Sequence, residues 1–131
     1  MTVGETWLDI AGYEGLYQVS NLGRVKSLDR LRHTGYGYHS VVKGRILKLQ
    51  KKRNGYLYAV LVKPGFNGSH KPVHRLVLKA FQPRLDADEF QVNHLNGSKT
   101  DNRLPNLEWC TASENSTHAY QVLGVGNIRK R

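Results

Sequence analysis

The chain contains a single cysteine, Cys110. This excludes an intrachain disulfide framework and any cysteine-cluster zinc site, since both need more than one thiol. Next to Trp109 in strand-like sequence, Cys110 reads as a buried apolar residue rather than a nucleophile. Long hydrophobic runs are also missing, and nothing approaches the roughly 20 apolar residues of a membrane-spanning helix. The opening residues Met1-Thr2-Val3-Gly4-Glu5 have neither the basic start nor the apolar stretch of a secretory signal. These absences lead to the expectation of a cytoplasmic protein with no membrane partner.

Carboxylates are missing from the middle of the chain. Between Arg30 and Leu85 there are thirteen basic side chains and no acidic one. Residues 1–29 carry two basic and four acidic groups, and residues 86–131 carry five and six. The net charge of +10 is therefore concentrated in one stretch. A field of one sign over that length suits a polyanion, because each phosphate contact releases condensed counterions. A nucleic acid fits better than an anionic membrane surface, because the basic residues fall in strand-like segments and not on an amphipathic helix. With 131 residues, 39% of them hydrophobic, the chain is long enough for one domain or two small lobes sharing a core.

The first half reads as short strands and tight turns. Tyr17–Ser20 and Arg24–Leu28 flank Asn21-Leu22-Gly23, a three-residue hairpin loop with glycine where a positive φ is easiest. Gly44–Leu49 and Tyr56–Val62 read as two more strands around a turn ending in Asn54-Gly55. Arg45, Lys48, Lys51, Lys52 and Arg53 lie at or near that turn, and His33–Ser40 reads as a loop. A helix follows. Pro72 suits its first turn, Val73, Leu76, Val77, Ala80 and Phe81 share one face, and Pro83 ends it. Arg75 and Lys79 lie on another face, available to phosphate. Phe90-Gln91-Val92 then reads as a strand running into Asn93-His94, and Leu107–Cys110 as its successor. Thr111-Ala112-Ser113-Glu114 has the form of a capping box opening a helix that ends at Gly124.

The chemistry-bearing set is Asn93 and His94 at a strand end, Asn106 in the loop, and Asn115 and His118 in the last helix. Positions 115 and 118 can share a helical face. If that face packs against the two strands, Asn115 or His118 can meet Asn93 and His94. Histidine is a competent general base near neutral pH. An asparagine carbonyl is a neutral oxygen ligand suited to a hard cation that keeps several waters. Taken singly, these residues have plainer readings: turn chemistry for Asn93, a loop asparagine for Asn106, a polar helix face for His118. His74 reads as helix surface, and His33, His39 and His70 as loop residues.

In combination, Gln91-Val92-Asn93-His94-Leu95-Asn96-Gly97, Asn106-Leu107-Glu108-Trp109 and Glu114-Asn115-Ser116-Thr117-His118-Ala119 resemble HNH homing endonucleases with a ββα-metal core. Val73–Val77 is similar to the segment that leads into that core. Trp7–Ile10 and Gly12–Val25 resemble the nuclease-associated DNA-binding module that precedes such cores in phage and intron-encoded enzymes.

The resemblance implies an α+β fold, with an N-terminal antiparallel β-rich module followed by a ββα-metal nuclease core. The expected division is residues 1–70, residues 71–126 with the leading helix, and a basic tail at 127–131. It implies hydrolysis of duplex DNA, as a nick or a double-strand cut, by a monomer or homodimer with one divalent cation, Mg²⁺ or Mn²⁺. His94 would activate water, Asn106 would hold the loop between the strands, and Asn115 and Asn93 would ligate the cation. His118 is a further candidate ligand. Position 93 is often an aspartate in the family, so the neutral Asn93 implies weaker metal binding. Phosphates would meet Arg45, Lys48, Lys51, Lys52, Arg53, Arg75 and Lys79. Two other classes fit parts of this pattern: a DNA-binding regulator with an inactive core, and an RNA-binding protein stacking bases on Tyr56 and Tyr58.

Overall fold

The computed structural model describes residues 4–33, 37, 39–65 and 67–114. Strands β1 (Trp7–Asp9), β2 (Tyr17–Ser20) and β3 (Val25–Ser27) form an antiparallel meander. The turn between β2 and β3 is fixed by Ser20, whose Oγ accepts the backbone N–H groups of Leu22 and Arg24 at 3.1 Å each. Gly23 closes it with a φ of 85°, a conformation that costs any residue with a Cβ about 1–2 kcal/mol.

Strands β4 (Arg30–His33) and β5 (His39–Val42) pair as a hairpin in which Leu31 faces Val41. The ladder therefore takes in both ends of His33–Ser40, which the sequence reading made a loop. A second difference concerns residues 44–49, expected as a strand. They carry one isolated bridge, between Lys26 and Ile46, with Ser27 N–H donating to Arg45 O and Leu47 N–H donating to Val25 O, both at 2.8 Å. Gly44 presses so closely on the β3 end that a Cβ would sit 2.2 Å from Ser27 O, and Arg45 N–H is taken by the Ser27 Oγ at 3.1 Å. The segment covers the free edge of β3 without forming a regular ladder.

Strands β6 (Gln50–Lys51), β7 (Leu57–Leu61) and β8 (Ser69–Pro72) make a second meander. The turn before β7 is closed by Gly55, with a φ of 90°. Strand β8 escapes a reading based on alternation, because Ser-His-Lys-Pro has no apolar period. It leads directly into α1 (Val73–Phe81), which buries Val73, Leu76, Val77 and Leu78. Trp109 Nε1–H donates to Gln82 O at 2.8 Å and satisfies a carbonyl just past the helix end. Strands β9 (Gln91–His94) and β10 (Leu107–Cys110) form the final hairpin.

One core joins both halves. Val19 and Val25 of the first meander, Ala59 and Leu61 of the second, the buried face of α1, and Val92 and Leu107 of the last hairpin belong to a single cluster. Each fully buried Val or Leu contributes roughly 1.5–3 kcal/mol over its exposed state. The helix is thus the post against which β2, β7, β9 and β10 are all set. After β10 the capping box is present: Thr111 Oγ1 accepts Glu114 N–H at 3.0 Å, and Glu114 Oε1 accepts Thr111 N–H at 2.9 Å. Residues 112–114 are helical. Asn115, His118 and the expected helix end at Gly124 lie outside the described residues. Among the described residues no helix is long and apolar enough to cross a membrane.

Candidate active site

Alternation along β9 sends His94 to the face it shares with Val92 and Leu107, and Asn93 to the opposite face with Glu108. Both side chains are buried, at 6% and 4% exposure. His94 lies at the start of a long loop, and Asn106 holds that loop closed. Its Oδ1 accepts Asn96 N–H at 2.9 Å, its Nδ2 donates to Asp101 O at 2.8 Å and Asn96 Oδ1 at 3.0 Å, and its own carbonyl accepts Leu95 N–H at 2.8 Å. This is the bracing geometry that the sequence reading attached to Asn106.

Four further residues converge on His94, and sequence reasoning did not find them. Asn102, buried at 3% exposure, places Oδ1 2.8 Å from His94 Nε2. An amide carbonyl can only accept, so in this arrangement the proton resides on Nε2 and the lone pair on Nδ1. His74 packs edge-on against the His94 ring, with centroids 5.2 Å apart, and Tyr56 lies 4.8 Å from His74 and 5.8 Å from His94. The fourth is Lys99, which reaches over the Tyr56 ring and donates to Asn54 O at 3.0 Å. The helix-face reading of His74 is thus replaced by a ring partly buried beside His94. Burial, with His94 and Arg75 nearby, pushes His74 down to about 3. Burial also lowers His94, against the opposing effect of its hydrogen bond to Asn102, so its neutral, proton-accepting form is favoured near pH 7. A signal was available for Tyr56, which neighbours Asn54-Gly55, but nothing local in the sequence marks Asn102 or His74.

Asn93 Nδ2–H donates to Glu108 Oε2 at 3.0 Å. Asp101, another carboxylate of the loop, has both oxygens engaged by the Arg103 guanidinium and one also by Asn96. Those hydrogen bonds hold Asp101 well below the usual carboxylate range. Burial pushes the Cys110 thiol up to about 11, in keeping with a buried apolar role.

The expected phosphate contacts divide into two groups. Arg45, Lys48, Lys51, Lys52, Arg53 and Lys79 are exposed. Lys52 lies over the Tyr58 ring, and Lys79 is 4.0 Å from Asp88. Arg75 differs from the expectation. Its guanidinium donates to Phe90 O at 2.9 Å and Ala87 O at 2.8 Å, and stacks over Trp109. It ties α1 to the segment leading into β9, and two of its donors are already committed.

The model for the NUMOD4 motif matches residues 5–62, and the model for HNH endonucleases matches residues 71–117. The chain carries an HNH endonuclease domain behind a NUMOD4 motif. It is 38% identical over 109 residues to DNA endonuclease I-HmuI of Bacillus phage SP01, covering 83% of this chain and 54% of that protein. An uncharacterised HNH endonuclease of Acanthamoeba polyphaga mimivirus is 39% identical over 118 residues, covering 88% of this chain and 26% of the relative. A solved structure of the HNH homing endonuclease I-HmuI, concerned with DNA binding and cleavage, superposes with a TM-score of 0.69 at 33% identity. That match covers 94% of this chain and 65% of the other. This NUMOD4–HNH chain thus spans about half, or less, of the length of these two curated relatives.

Proposed function

We propose that this chain hydrolyses phosphodiester bonds of double-stranded DNA in the manner of a homing endonuclease, with His94 as the general base. The observation that carries the reading is the buried His94, held through Nε2 by Asn102 and kept neutral by burial, at the mouth of the Asn106-braced loop and next in the chain to Asn93, which faces the other side of the hairpin. Nδ1 is the nitrogen left to take a proton from water. The basic turn around Lys51, Lys52 and Arg53 leads into Tyr56 at the same site, so phosphates gripped there would lie close to the base. Such contacts position a duplex but read no sequence.

A divalent cation, Mg²⁺ or Mn²⁺, fits the donor chemistry. Asn93 offers one buried carbonyl oxygen, and no group of three or more His, Cys, Asp or Glu is placed to form a metal site among the described residues. A neutral oxygen donor of this kind suits a hard cation that draws its other ligands from waters and substrate phosphates. Asn93 and Asn115 would hold it, with His118 as a further candidate. When bound, it would stabilise charge on the phosphate and on the leaving 3′ oxygen.

The test is incubation with supercoiled plasmid across a panel of divalent metals, followed by mapping of the ends. Metal-dependent nicked or linear DNA is expected. His94→Ala should lose roughly 10²–10⁴-fold in rate while duplex binding is retained. Full activity in His94→Ala would move the base elsewhere, and intact plasmid under every metal would overturn the nuclease reading.

A further inference from the structure

The inferred ligands Asn93 and Asn115 are both uncharged, which leaves the cation with no charged protein group at either position. Across the hairpin, Glu108 is the register partner of Asn93, and its carboxylate accepts the Asn93 amide N–H at 3.0 Å. A carboxylate offers no hydrogen to share, so it dictates which way the amide faces: Nδ2 toward Glu108, Oδ1 away from it. The bond is charge-assisted and correspondingly stronger than one between neutral groups. Asp101 cannot take this part, because both its oxygens are committed to Arg103.

We infer that Glu108 is a positioning residue for the cation. It holds Asn93 with the carbonyl oxygen turned outward as a ligand, and it supplies from the neighbouring strand the negative charge that the ligand lacks. This rests on the nuclease reading above. It also alters what an aspartate at position 93 would do. Asn93→Asp alone would set two carboxylates at the distance now spanned by a hydrogen bond, and like charges directly opposite on a hairpin repel. The exchange Asn93→Asp with Glu108→Gln keeps a donor–acceptor pair of reversed polarity.

The experiment measures Mn²⁺ binding to the full chain on duplex DNA, in a His94→Ala background so that the DNA stays intact. Free Mn²⁺ is read by its electron paramagnetic resonance signal. Glu108→Gln removes the charge but keeps an acceptor, and should raise the half-saturating Mn²⁺ concentration by roughly 10-fold, within the range for partners of metal ligands. Glu108→Ala should raise it further, and the Asn93→Asp/Glu108→Gln exchange should bring it back toward the parent value. DNA affinity in EDTA and the circular dichroism spectrum should stay unchanged in the single variants. Parent-like Mn²⁺ binding in both Glu108 variants would overturn the inference and leave the nuclease reading standing. A parallel fall in metal-free DNA affinity would overturn it in favour of a purely structural role. Absence of Mn²⁺ binding in the parent, with no metal-dependent cleavage by the unmodified chain, would overturn both.

Discussion

At the scale of single residues, the two polar groups that touch His94 and Asn93 are Asn102, which turns its acceptor Oδ1 to the ring, and Glu108, whose carboxylate can only accept. Asn102→Ala should release the His94 ring and forfeit part of the roughly 10²–10⁴-fold a general base contributes. Duplex affinity should hold, as measured by cleavage kinetics alongside a binding isotherm. Arg75 supplies a contrast. Its guanidinium serves two backbone carbonyls and the Trp109 ring, so Arg75→Ala should lower stability, by about 1.5–3 kcal/mol for each lost hydrogen bond to the charged group. The salt dependence of DNA binding should not change. Urea unfolding and a salt series check the two halves of that statement, and a flattened salt slope would return Arg75 to the phosphate interface. The sequence had marked Arg75 by charge and helical phase alone. Neither reveals that the carbonyls of Ala87 and Phe90 lie within reach, because that pairing exists only once α1 and β9 are docked.

Among the elements, those whose patterns are self-contained were legible. The apolar face of α1, the β10 strand and the Thr111–Glu114 capping box all follow from local periodicity or local hydrogen bonding, and they appear where the sequence places them. The Asn106 brace was legible through resemblance, since its role depends on fixed spacing from His94. What escaped was set by partners distant in the chain. Residues 44–49 look like a strand but serve as the irregular cover of β3, and β8 looks like nothing but pairs with β7. His74 and Asn102 escaped for the same reason, because their significance is a ring and an amide brought to His94 by separate elements. Gly23 belongs to this scale too. A Cβ there would sit 2.9 Å from the Asn102 Cβ, on a backbone already at a φ of 85°. Gly23→Ala should therefore cost about 1–2 kcal/mol from backbone conformation alone, and more from the contact. Chemical denaturation measures the first effect. A fall in cleavage rate larger than any fall in DNA affinity would report the displaced Asn102.

Across the whole molecule, charge and connectivity set the expectations. The acid-free stretch from Arg30 to Leu85 predicts DNA affinity that drops steeply with salt. Replacing Lys51, Lys52 and Arg53 together by alanine should flatten the log–log slope by up to about 0.9 per lost phosphate contact. An unchanged slope would remove that turn from the interface. Acid should weaken the fold through Asp101. Its carboxyl is held below its unfolded value by Arg103, Asn96 and the loop backbone. That contribution is complete above the ordinary aspartate range and is lost as pH falls through the folded value. Asp101→Asn should accordingly lose stability at neutral pH and show a shallower decline on acidification, read from thermal midpoints at a series of pH values. The N-terminal meander and the nuclease hairpin are also fastened to each other, by Leu104 N–H donating to Asn21 O at 2.8 Å and by the tight seat of Asn102 against Gly23. A recombination that joined this core to a foreign N-terminal module would thus have to satisfy a stringent condition of compatibility. The newcomer must bring a glycine-bearing turn to that spot, or the graft would displace Asn102 and, through it, the His94 ring.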